Sequence, residues 1–112
     1  EFAQADAEFQ AAKAWFYQTM DSVWHEVVAG RVATTQQISD MRLACTHAAR
    51  VCAKVTRKMQ MLAGMTAIYT QNPFSRFVND TNVVTQHAFM GDGTLQNAGS
   101  IRFGLKPSPG YL

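Results

Sequence analysis

The chain has 112 residues, of which 47% are hydrophobic and 16% charged, with a formal net charge of +2. That length holds one domain or a piece of one, and the charge is too small to argue for nucleic acid. No apolar run approaches the roughly 18–20 residues of a membrane span, and the polar, acidic start lacks the basic-then-apolar order of a signal peptide.

The first predicted element runs from about Phe2 to Ala29. Phe2, Phe9, Phe16 and Val23 recur every seven residues, with Ala5 and Ala12 between them and Met20, Trp24 and Val27 widening the stripe. That is the spacing of a long amphipathic helix. Gly30 suits the residue just past its end.

The second helix is expected from Thr35 to about Tyr69. Thr34 and Gln37 have capping-box spacing. Ile38, Cys45, Cys52 and Met59 form one apolar line, and Met41, Ala48, Val55, Leu62 and Tyr69 a second. Met61 and Met65 are expected to join Met59 in the core. Gly64 marks a weak point or a close approach to a neighbour. The short link makes the two helices an antiparallel hairpin, which needs further helices to cover its stripes.

Cys45 and Cys52 are the only cysteines. Seven apart on a helix, their Cα atoms lie about 10.5 Å apart, beyond the reach of a disulfide. They read as buried thiols of a reducing compartment, so the expected location is cytoplasmic. No metal site is expected. His25 and His47 read as ordinary helix residues. Arg50, Lys54, Arg57 and Lys58 form a basic patch with no evident acidic partners, either a solvated face or a contact for phosphate or a partner subunit.

Asn72-Pro73 opens a third helix, expected to reach about Phe89. On a helical wheel Phe74, Phe77, Val78, Thr81, Thr85, Ala88 and Phe89 form its core face. Arg76, Asp80, Val83, Val84 and His87 share another arc, which the two valines make unlike a plain solvated face. "MGDGTL" breaks the helix, a short fourth helix covers Thr94 to Ile101, and an irregular tail follows. The fold class is therefore all-α: two long antiparallel helices and two shorter ones, as a four-helix up-and-down bundle or part of one. Spacing leaves the arc open to two readings. Arg76 and Asp80 can be a surface pair worth a few tenths of a kcal/mol, with His87 beside a helix terminus. Or the arc is the wall of a site.

The stretch "NPFSRFVND" followed by "TQH" resembles the C-terminal helical domain of the acyl-CoA dehydrogenase fold. It is most similar to the branch of flavin-dependent, two-component monooxygenases built on that fold. Pro73, Arg76, Phe77 and Asp80 match the "plxRfxRD" pattern, and His87 matches the histidine that follows it. The order and lengths of the first two helices also match, so the resemblance covers nearly all 112 residues. Asn79 stands where the family usually has Arg. The dehydrogenases carry a glutamate base in a "YEGT"-like segment, whereas this chain has "FMGDGT", with Asp92 out of place for the role. Abstraction of a proton next to an acyl thioester is therefore not supported.

The resemblance implies a single helical domain, residues 1–112, at the C-terminal end of a longer flavoenzyme whose other domains hold most of the cofactor. It implies FAD or FMN in the full-length enzyme and hydroxylation of an aromatic or related small substrate. It also implies a homo-oligomer, dimer or tetramer, with a flavin reductase as a possible further partner. His87 becomes the expected catalytic residue, since an imidazole can hydrogen-bond a flavin hydroperoxide, or take a proton from a phenolic hydroxyl, near pH 7. Arg76, braced by Asp80, becomes the expected cofactor contact. Two alternatives stay open: an acyl-CoA dehydrogenase proper, and a helical oligomerisation or interaction module with no chemistry. The coding sequence upstream of Glu1 would separate the enzyme readings from the last.

Overall fold

In the computed structural model, residues 1–110 are described. The helices are α1 (Phe2–Val28), α2 (Thr35–Ala63), α3 (Phe74–Thr85) and α4 (Asp92–Arg102), with 3-10 turns at Gly64–Ile68 and Ala88–Met90. There is no strand among the described residues, and no helix is long and apolar enough to cross a membrane.

The start of α2 is a complete capping box. The Thr34 hydroxyl accepts from the Gln37 N–H, and the Gln37 side chain accepts from the Thr34 N–H. Its end departs from expectation. At Gly64 the backbone turns to φ 62° and ψ −142°, a conformation open to Gly at no steric cost. The helix stops at Ala63, and Tyr69 lies outside it. Gly64 is thus a terminus, not an interior weak point. Likewise α3 ends at Thr85, which removes His87 from the helix.

Three contacts fix the antiparallel register of α1 on α2. The Gln37 amide donates to Ser22 Oγ at 3.1 Å. The Trp15 and His47 rings meet edge to face at 5.8 Å. Lys54 Nζ lies 2.6 Å from Glu8 Oε2. That ammonium, as a hydrogen-bond donor, holds the Glu8 carboxyl below its ordinary range, with partial burial opposing it. The line that α1 buries is Ala5, Ala12 and Thr19, so small side chains let the helices approach. Phe9, Phe16 and Val23 flank this line half-buried, while Phe2, Trp24 and Val27 are exposed.

α3 and α4 both run antiparallel to α2, each along a different half of it. Thr81 bonds Thr56 at 2.8 Å, and Gln60 donates to Ser75 at 3.3 Å, which places α3 on the C-terminal half. Arg50–Asp92 at 2.8 Å and Arg102–Asp40 at 2.9 Å place α4 on the N-terminal half. The two short helices follow one another along α2, with the 3-10 turn Ala88–Met90 between them.

Among the described residues the buried hydrophobic ones are all alanines: Ala5, Ala12, Ala44, Ala67 and Ala98. The largest fully buried side chain is Thr46. Met61 and Met65, expected in the core, are 75% and 70% exposed, because α2 ends just past Met61 and nothing packs on that side. Phe77 is also exposed; the face that α3 half-buries runs through Phe74, Val78, Thr81 and Thr85. The molecule spans 50 × 26 × 23 Å and leaves broad apolar faces uncovered.

Candidate functional site

The break between α3 and α4 gathers the most specific polar geometry in the chain. His87 is extended, φ −66° and ψ 138°, and caps the 3-10 turn: its Nδ1 accepts from the Phe89 N–H at 3.2 Å. The two rings lie 5.4 Å apart. The Phe89 carbonyl in turn accepts from the hydroxyls of Thr46 at 3.0 Å and Thr94 at 2.7 Å. Thr46 is 0% exposed, so the turn is pinned to the interior of α2 on one side and to the first turn of α4 on the other. The Arg42 guanidinium sits 4.6 Å from the centre of the Phe89 ring, a cation–π geometry.

Two open clefts border this turn. One, about 380 Å³, is lined by Met41, Arg42, Cys45, Phe89 and Met90. The other, about 400 Å³, is apolar and includes Phe16, Cys45, Cys52, Val84 and Met90. Val84 therefore does contribute to an apolar wall, while Val83 is 71% exposed. The cysteines are free, as expected, but half-buried, not fully buried. Burial pushes both thiols up, and the positive charge of Arg42 pulls Cys45 the other way. Iodoacetamide is therefore expected to alkylate both more slowly at neutral pH than it alkylates free cysteine. Rates equal to free cysteine would contradict the burial described.

Arg76 lies elsewhere. It borders a cleft of about 380 Å³ at the start of α3, with Thr70, Gln71, Asn72 and Pro73. Its guanidinium sits 5.6 Å from the Phe77 ring. Among the described residues the ion pairs are Glu26–Arg31, Asp92–Arg50, Glu8–Lys54 and Asp40–Arg102. Arg76 and Asp80 do not form the expected pair; both side chains are exposed, where such a pair gains little. Arg76 and His87 flank opposite ends of α3, on the order of 15 Å apart along its axis. They cannot grip one small group together, but they can address two ends of an extended ligand. The basic patch also changes character, because Arg50 and Lys54 do have acidic partners, Asp92 and Glu8.

Spacing does not single out Arg42, Thr46 or Thr94, and it places Phe89 on the core face of the third helix, whereas Phe89 lies past the end of α3 and is 47% exposed. Thr46 gave one signal: a β-branched hydroxyl set among Ala44, Cys45, Ala48 and Ala49, where a buried hydroxyl must find a partner. No group of three or more metal-ligating side chains occurs among the described residues.

Residues 1–92 match the family described as acyl-CoA dehydrogenase, C-terminal domain. Over 112 residues the chain is 88% identical to an indole-3-acetate monooxygenase of Acinetobacter baumannii, covering 100% of this chain and 29% of that protein. It is 51% identical over 112 residues, with the same coverage of 100% and 29%, to an indole-3-acetate monooxygenase of Pseudomonas putida. The chain thus spans less than a third of the length of the curated relatives it matches. With helices, caps and turns arranged as described, the chain belongs to the acyl-CoA dehydrogenase family and corresponds to that family's C-terminal helical domain.

Proposed function

We propose that this chain is the C-terminal helical domain of a flavin-dependent monooxygenase that acts on an aryl acetic acid of the indole-3-acetate type. The observation that carries the reading is the 88% identity to such an enzyme across every residue of this chain. The side chains present fit one wall of a flavin and substrate site. His87 is exposed on a pinned turn, Val84 and Met90 offer an apolar surface on which rings can lie, and Arg76 offers a cation a helix length away for a phosphate. When bound, FAD or FMN would supply the activation of dioxygen.

On this reading His87 contacts the substrate beside the ring system, Arg76 contacts cofactor phosphate, and Asp80 tempers the charge around Arg76 from one turn on. The uncovered apolar faces of α1 and α2 support association of the parent enzyme as a dimer or tetramer. A separate flavin reductase is the proposed source of reduced flavin.

The test uses the full-length protein with reduced flavin, isotopically labelled dioxygen and indole-3-acetate. The expected result is consumption of the substrate with one labelled oxygen atom in the product. Oxidation of an acyl-CoA without oxygen incorporation would favour the dehydrogenase alternative. Neither reaction, from a well-folded oligomer, would favour the interaction module.

A further inference from the structure

His25 and His87 are both exposed, yet their ring nitrogens meet opposite partners. His25 Nδ1 lies 2.6 Å from the Asp21 carbonyl oxygen. A carbonyl can only accept, so Nδ1 of His25 carries the hydrogen and Nε2 keeps the lone pair. His87 Nδ1 faces the Phe89 N–H at 3.2 Å. A backbone N–H can only donate, so Nδ1 of His87 holds the lone pair and the neutral ring carries its hydrogen on Nε2.

This arrangement is braced from behind. The Phe89 peptide that aims its N–H at His87 is held through its own carbonyl by Thr46 and Thr94. Thr46 also lies 3.1 Å from the Arg42 carbonyl, and its side chain has no room to swing because it is fully buried. Reversing the tautomer of His87 would turn two N–H groups toward each other and leave the Phe89 N–H without its partner in the turn.

We infer that His87 works as a fixed hydrogen-bond donor through Nε2–H, set by the Thr46–Phe89–Thr94 clamp, and that its ligand is an acceptor oxygen. The inference rests on the proposed placement of His87 at the reaction site and narrows what it does there. A nitrogen that already carries its hydrogen cannot take a proton from a phenolic hydroxyl. It can hold a carboxylate, as on an aryl acetic acid, or a ring carbonyl, as on a flavin. Thr46 and Thr94 are positioning residues; neither needs to touch the ligand.

Two measurements on the full-length enzyme test this. The first is the nitrogen spectrum of 15N-histidine-labelled protein, with the His87 signals assigned by their loss in His87→Gln. The expected result is a bare Nδ1 and a protonated Nε2 for His87, and the reverse for His25. A protonated Nδ1 on neutral His87 would overturn the inference without reference to activity.

The second is a substitution series. Gln places an N–H where Nε2 stood but is not basic. Asn can still cap the turn but falls short of that position. Hydroxylation by His87→Gln is expected within about tenfold of the native kcat/KM, while His87→Asn and His87→Ala lose about 10²-fold or more, the scale for removing an aimed donor. In the weak variants, a raised KM assigns the acceptor oxygen to the substrate, and a raised flavin Kd assigns it to the cofactor. His87→Gln as poor as His87→Ala is the result a base would give, and it would overturn the inference while leaving the monooxygenase reading intact. A native-like His87→Ala would remove His87 from the site altogether, whereas failure of the native enzyme to insert oxygen would strike the functional reading itself.

Discussion

His87→Ala in the full-length enzyme is expected to lower product formation by about 10²–10³-fold, with flavin binding retained where the acceptor oxygen that His87 holds is the substrate's. The separation follows from distance. The side chain removed lies past the C-terminal end of α3, whereas Arg76, the proposed phosphate contact, lies near its beginning. Fold should also survive, because the turn keeps its strongest anchors: Thr46 and Thr94 hold the Phe89 carbonyl, not the imidazole. Flavin titration by fluorescence and product analysis, run on the same preparation, check the two halves separately. Unchanged turnover would return His87 to an ordinary turn cap. Loss of flavin together with helicity would mean that the ring is chiefly structural.

Ala12→Glu is expected to destabilise the hairpin strongly. Ala12 is 2% exposed and sits on the line that α1 presses against its neighbour. A carboxylate there enters a mostly apolar setting of Phe9, Phe16, Ala48 and Cys52, with Lys13 at its edge, and a buried charge left uncompensated costs up to about 3–5 kcal/mol. Ala12→Leu separates charge from bulk, since overpacking alone costs about 1–3 kcal/mol. Urea denaturation followed by circular dichroism would rank them, with Glu below Leu and Leu below the native chain. Equal midpoints for all three would show that the two helices do not approach as closely as described.

The helices were legible because their causes are local. Seven-residue spacing announced α1, and Thr34 with Gln37 announced the start of α2. Ends proved harder. Gly64 stops α2 through a backbone angle that a one-letter code permits but does not demand. α3 stops at Thr85 because the next residues serve a tertiary contact, the clamp on Phe89, which spans 43 positions of sequence to Thr46. No window of a dozen residues contains both partners. The same limit explains the site. His87 was visible through its place after "RFVND", while Thr46 and Thr94 became meaningful only when folding placed both hydroxyls on one carbonyl. Arg76 and Asp80 show the converse: their spacing suggests a pair, and solvation of two exposed charges leaves it unmade.

An interior built from alanine and threonine has a calorimetric consequence. Heat capacity rises on unfolding chiefly because apolar surface enters water, by about 12–15 cal/mol/K per residue in ordinary globular proteins. Here Phe2, Trp24, Met61, Met65 and Phe103 are already more than half exposed in the folded chain, so unfolding it alone hydrates little that was dry. Its increment per residue is expected to fall below that range in scanning calorimetry, with a correspondingly flat stability curve. The shortfall, converted at about 0.45 cal/mol/K per Å², measures the apolar area that these helices hold in reserve for whatever covers them.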